Sequence, residues 1–267
     1  MKKLLITAVL FTIGINYALG QGELDMQQKV FFRNERTGAI YFSTDGYGLS
    51  YREGKRINYL NKRLIEFDIG HLVHPKELRI SNPYYQTQGS FVFGKENSVF
   101  FLRGGLGHQH ELFTKADVGG ISIRYFFSGG PAIAFCKPIY YEILHPINGQ
   151  GTEFYIVEEK FDITKHDPTM IYGRASYFKG FGEMKLKPGL YAKGGFNFEY
   201  SKQDKVIHAI EIGAQINAFF MEVPIMATQT NKAVFFSLFA SYRFGVVIDP
   251  LDPESNKASG LFRKKSD

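Results

Sequence analysis

The chain has no tryptophan and one cysteine, Cys136. Past its first twenty residues it also has no apolar run long enough to cross a membrane as a helix, which takes roughly 18 residues. A lone cysteine excludes an intrachain disulfide, so the fold must rest on its own buried core, and the length allows that. If the mature chain enters a membrane, it does so with strands. Strong charge of one sign is also lacking. Removing Lys2 and Lys3 with the leader described below takes the formal net charge from +6 to +4. That is too weak a balance to argue for nucleic acid. The basic end "LFRKKSD" reads as a solvated tail.

The composition instead favours strands and tight turns: 26 Phe, 16 Tyr and 28 Gly. The start, "MKKLLITAVLFTIGINYALGQ", has a positive pair, an apolar run from Leu4 to Ile15 and a small-residue cleavage site. This is a secretory signal peptide spanning 1–20. No Cys follows it, so no lipoprotein is expected. The mature chain is expected to begin at Gln21.

The rest alternates with period two. "AVFFSLFASYRF" puts Phe236, Leu238, Ala240, Tyr242 and Phe244 on one face and Phe235, Ser237, Phe239, Ser241 and Arg243 on the other, a face mixed with serines and an arginine. "VIHAIEIGAQINAFF" sets Ile210, Ile212, Ile216 and Phe220 against Glu211, Gln215 and Asn217. "GLYAKGGFNFEY", "GGISIRYFF", "LIEFDIG", "FFLRGGLG", "GYGLSYRE" and "PIYYEIL" behave alike, giving eight strands. Counting "GSFVFGKEN" and "KVFF" as wall gives ten. No repeat of 20 to 50 residues appears. The expected divisions are an N-terminal periplasmic segment 21–38, a barrel 39–248 and a periplasmic tail 249–267.

The polar parity collects Arg52, Glu66, Asp68, Arg103, Arg124, Glu142, Lys193, Glu199, Glu211 and Arg243, five cations and five anions. Such balance is required only if the groups share a closed interior, because buried charges must be paired. Aromatics near strand ends on the apolar parity, such as Tyr200, Phe220, Tyr242 and Phe244, suit membrane interfaces. Glycines beside the charges suit a narrow lumen. The fold class expected is therefore all-β: an antiparallel up-and-down transmembrane β-barrel of eight strands, with long outer loops. The tight connections are "SGGP" and "SKQDK". "GHQHELFTKAD", "MEVPIMATQTNK" and about 145–187 are expected outside, and 74–97 on the periplasmic side. Lys137 breaks the alternation, because it shares the outward parity of Ile139 and Tyr141.

The leader, the alternating strands and the terminal "FFSLFASYRF" together resemble the outer-membrane β-barrel class of Gram-negative bacteria. The resemblance implies a C-terminal assembly signal at Leu238, Tyr242 and Phe244, read by the barrel-insertion machinery. This chain departs from many members by continuing past Phe244.

Sites for chemistry are sparse. "GHQHE" (107–111) supplies two histidines and a glutamate, short of a convergent metal set. His145, His166 and His208 have no serine beside them in a hydrolase arrangement, and Glu158-Glu159 reads as a solvated pair. No phosphate-binding glycine loop is present. Asp167-Pro168 is a helix-start signal. No catalytic residue, metal or cofactor is expected, and Cys136 reads as a small wall residue. Three function classes remain: an accessory or interaction subunit of a larger outer-membrane insertion or secretion assembly, a small-molecule or ion transporter, and an outer-membrane lipid hydrolase. The expected partners are outer-membrane lipid, the insertion machinery and proteins of the outer membrane or periplasm, with no nucleic acid.

Overall fold

The computed structural model describes residues 34–85, 89–116, 119–147, 153–202, 205–227 and 230–248. The leader, most of the 21–38 segment and the 249–267 tail lie outside the described residues. Eight strands close a barrel: β1 (Asn34–Ser43), β2 (Gly46–Arg56), β3 (Asn61–Leu72), β6 (Asn97–Phe113), β7 (Ser122–Pro138), β11 (Lys185–Glu199), β12 (Val206–Val223) and β13 (Lys232–Ile248). Each pairs antiparallel with its neighbours, and β1 closes the ring against β13, with Ile40 opposite Tyr242. Closure leaves the wall no free edge, which a bilayer demands of a strand-built span.

Alternation sorts the side chains. Along β3, Lys62, Leu64, Glu66, Asp68, Gly70 and Leu72 are buried, while Ile65, Phe67 and Ile69 are exposed. Along β13, Ser237, Phe239, Ser241 and Arg243 point in, and Phe236, Leu238, Tyr242 and Phe244 point out. The arrangement is inside-out relative to a soluble barrel. Its exterior is a continuous apolar belt, far larger than the few hundred Å² of patch that a soluble monomer shows. Aromatics edge the belt at both ends. Tyr51, Tyr125, Tyr200 and Tyr242 mark the end that carries both termini, and Phe42, Tyr47, Phe220 and Phe236 mark the other.

The connections differ between the ends. At the termini end they are 57–60, 114–121 and 200–205. At the opposite end they are 44–45, 73–96, 139–184 and 224–231. The long ones build a cap. A sheet in the order β10 (Ile171–Arg174), β8 (Tyr140–Pro146), β9 (Phe154–Lys160) packs over a small hairpin of β4 (Arg79–Ile80) and β5 (Phe91–Val92). Its core is Phe91, Tyr141, Ile143, Phe161 and Ile171. A second apolar cluster seals the lumen below the cap. There Leu72, Val99, Phe101, Phe219 and Val223 of the wall meet Val92, Ile225 and Met226 of the connections.

Several expectations need correction. "PIYYEIL" is cap, not wall. Tyr141 and Ile143 bury against protein (1% and 0% exposed) rather than against lipid. The eighth wall strand is "NERTGAIYFS", so the barrel begins at Asn34 rather than at residue 39. "SGGP" is mid-strand. Gly130 lies so close to the backbone of Gly104 and Gly105 that no side chain fits there, and β7 runs on to Pro138. "GHQHE" lies in β6, and the following connection sits at the termini end. The 73–96 segment sits at the opposite end, with the other long connections. "GSFVFGKEN" contributes a two-residue cap strand, and "KVFF" lies outside the described residues. Asp167 starts a turn rather than a helix, accepting hydrogen bonds from Thr169. The described helical content is a single 3₁₀ turn, Phe181–Glu183.

Candidate functional site

The lumen is built in ionic layers. In the middle layer Glu66 accepts from Arg52 (3.0 Å), Lys193 (2.9 Å), Ser50 (3.1 Å) and Ser128 (2.8 Å). Glu211 accepts from Arg52 (2.6 Å), Arg243 (3.1 Å), Asn197 (2.9 Å) and Ser241 (3.1 Å). Toward the cap, fully buried Arg103 donates to Asp68 (2.9 Å), Gln215 (3.1 Å), Asn217 (3.1 Å) and the Tyr41 hydroxyl (3.2 Å). Its guanidinium also lies 4.5 Å from the Phe101 ring centre and 5.1 Å from that of Tyr191. Toward the termini, Arg124 pairs with Glu199 and lies 3.6 Å from Glu35, which also pairs with Lys62. Lys115 reaches in from the connection to Glu199 at 2.9 Å.

Small residues make room for these long ones. A Cβ on Gly105 would collide with the Tyr191 hydroxyl and the Gly129 carbonyl, and one on Gly70 would sit 2.5 Å from the Phe101 ring. The cavity among Glu35, Arg52, Arg124, Asn197 and Arg243 measures about 10 Å³, the room of about one water molecule. An eight-stranded barrel leaves an interior that side chains can fill, and here they do.

Nine of the ten ladder residues face this lumen: Arg52, Glu66, Asp68, Arg103, Arg124, Lys193, Glu199, Glu211 and Arg243. Glu142 does not. It lies in β8, in register with Glu158 and Gly173 of the cap sheet, because that strand left the wall. The sequence reading missed Glu35, Arg56, Lys62 and Glu111, which join the layer nearest the termini. Extending the parity of Glu66 back to Lys62, and that of Arg103 on to Glu111, finds two of them. Leu238, Tyr242 and Phe244 all sit on the outward face of β13, 56%, 42% and 49% exposed. Cys136 points into the apolar seal.

The histidines divide. His108 and His110 both bond Asn61 Oδ1, at 2.9 and 2.8 Å, on the outer wall. His208 bonds the Tyr242 hydroxyl at 2.8 Å. In the cap, Glu159, with its side chain still 36% exposed, bridges His145 (2.8 Å) and His166 (3.2 Å), so this solvated charge is also a clasp. Burial works to raise the Glu159 pKa, but the hydrogen bonds from His166 and His145 outweigh it and hold the carboxyl below its ordinary 4.5. Among the described residues no group of three or more His, Cys, Asp or Glu is placed to hold a metal.

Lipid-loving outside, ionic inside and closed without an edge, the protein is a transmembrane β-barrel of the eight-stranded outer-membrane type. No family model matches the sequence, and no curated protein matches it. Several solved structures are similar in fold, among them the following three. Neisserial surface protein A is 9% identical, with a TM-score of 0.37, over 82% of this chain and 96% of that one. Ail, the attachment invasion locus protein of Yersinia pestis, is 8% identical, with a TM-score of 0.37, over 81% and 99%. The N-terminal β-barrel domain of Pseudomonas aeruginosa OprF is 8% identical, with a TM-score of 0.33, over 81% and 97%. The class rests on the barrel's own closure, exterior and interior rather than on these likenesses.

Proposed function

We propose that this protein is a non-catalytic outer-membrane barrel that serves as an accessory or interaction subunit of a larger outer-membrane assembly. The supporting observation is a sealed lumen beneath a folded cap. The wall gives no aqueous path, so it acts as a seat in the membrane, and the surfaces left for partners are at the ends. The cap is the larger of them. Among the described residues its strand β9 pairs only with β8, which leaves its other backbone edge without a partner strand there. Phe154, Tyr155 and Ile156 on that strand are 44%, 50% and 48% exposed. A free edge flanked by apolar side chains is the surface to which a partner strand adds.

The test is co-purification from detergent-solubilised membranes, with mass spectrometry of what is retained, for the wild-type chain and for Ile156→Lys. A partner held by the wild type and lost from the folded variant supports the reading. A chain that runs alone defeats it.

A further inference from the structure

A cavity of about 560 Å³ lies on the outside of the wall, beneath the overhang of the cap. Its floor is the outward row Tyr47, His71, Ser98 and Lys137, drawn from four consecutive wall strands. Tyr47 stands opposite His71, and Ser98 opposite Lys137. Its roof includes Glu77, Arg79, Lys95 and Arg174. The Lys95 ammonium is neutralised by Glu77 at 2.5 Å. Among the described residues no ion pair joins Arg79, Lys137 or Arg174 to a carboxylate. Lys137 is only 4% exposed, yet its ammonium meets just the rings of Tyr177 and Phe181, at 4.7 and 5.2 Å. His71 bonds Ser98 at 3.3 Å through Nε2, and its buried Nδ1 has no partner.

A buried cation without a counter-charge is costly. Buried Lys137 and the exposed guanidiniums of Arg79 and Arg174 line one cleft, and with a histidine nitrogen to spare they select an anion with several acceptor oxygens. The cleft also has a direction. One step along each strand below Tyr47, His71 and Phe100, the outward residues Leu49, Ile69 and Leu102 form a cross-strand row, 56%, 56% and 46% exposed. Tyr177 lines the same opening, and its ring packs against that of Phe178, 79% exposed. Polar anchorage above an apolar wall matches an amphiphile.

We propose that this cleft seats the phosphorylated headgroup of a membrane lipid, with its chains running down the wall past Leu49, Ile69 and Leu102. The phosphate supplies the counter-charge that buried Lys137 lacks and accepts charge-assisted hydrogen bonds from Arg79 and Arg174. The proposal rests on the wall facing lipid, and it adds a lipid site that the interaction reading does not need.

The experiment is native mass spectrometry of the full chain released from mixed micelles of phosphatidate and phosphatidylcholine. Arg79→Ala, Arg174→Ala and Lys137→Gln are compared with the wild type. The two arginines are exposed, so their variants keep the fold, and heat-modifiable gel migration verifies this for all three. The expected result is selective retention of phosphatidate by the wild type, weakened about fivefold for each cation removed. Equal retention of both lipids, or phosphatidate retention untouched by the substitutions, overturns the proposal. A parallel arm adds inorganic phosphate. Displacement of the lipid by phosphate at matching concentration shows that the chains contribute nothing, and that also overturns it.

Discussion

Arg52 and Glu211 are 159 positions apart in sequence and 2.6 Å apart in the lumen, where they join β2 to β12 across the barrel. Each also holds a second opposite charge, Glu211 to Arg243 and Arg52 to Glu66, so removing either one unbalances a whole buried layer. Removing one partner of a buried pair costs about 3–5 kcal/mol. Glu211→Ala is therefore expected to lower the urea midpoint of the folded barrel sharply, read by the loss of heat-modifiable migration. Glu211→Gln keeps the shape and two neutral hydrogen bonds, and should fall between the wild type and the alanine variant. A midpoint unchanged by Glu211→Ala contradicts the ionic lumen.

The glycines of the lumen make a second contrast. At Gly70 a side chain would drive into the Phe101 ring at 2.5 Å and the Tyr41 hydroxyl at 2.7 Å. At outward-facing Gly104 it would meet only the Phe67 ring, at 3.3 Å. Gly70→Val is expected to cost about 1–3 kcal/mol by overpacking, and Gly104→Val less, because the Phe67 ring can move. Urea titrations of the two variants side by side read the difference.

Much of the barrel is legible in the amino-acid sequence. The two strands of "VIHAIEIGAQINAFF" and "AVFFSLFASYRF" follow their alternation closely, because a wall with lipid on one side and charges on the other enforces it at every residue. "PIYYEIL" shows why period alone is not enough. Tyr141 and Ile143 alternate with Glu142 whether their neighbour is an acyl chain or the ring of Phe91. The polar "NERT" that opens β1 obscures that strand, and it hides Glu35 and the network near the termini as well. "SGGP" looks like a turn because glycine and proline usually make one. Gly130 is there instead because two strands approach too closely for a side chain. Lys137 breaks the alternation, and the reason lies in a connection forty residues on, which brings Tyr177 and Phe181 over it.

The cap carries a pH dependence of known sign. The carboxyl of Glu159 is held below its ordinary 4.5 in the folded chain by His166 and His145. A group whose pKa is depressed on folding contributes stability above its unfolded pKa and loses it as pH falls through the folded one. Hydrogen exchange of β9 amides should therefore quicken, beyond the intrinsic trend, as pH drops below about 4.5. Glu159→Gln should abolish that step. A step that persists in the variant assigns it to another group.

The sealed lumen makes a simple electrical prediction. In a planar bilayer the purified wild-type protein should give no steady conductance, because the charged layers leave only about 10 Å³ among Glu35, Arg52 and Arg243. A sustained current through the folded protein would mean that the network parts.

The account turns on which face meets lipid, and the chain's lack of tryptophan makes that measurable. A single tryptophan placed at Leu238 or at Ile212 is the only one in the molecule, and its fluorescence can be read in vesicles carrying bromine on their acyl chains. Strong quenching at both positions, with a blue-shifted emission and little effect of aqueous iodide, is the predicted result. Emission insensitive to the brominated lipid, with the protein still folded, would place those residues away from acyl chains and contradict the reading.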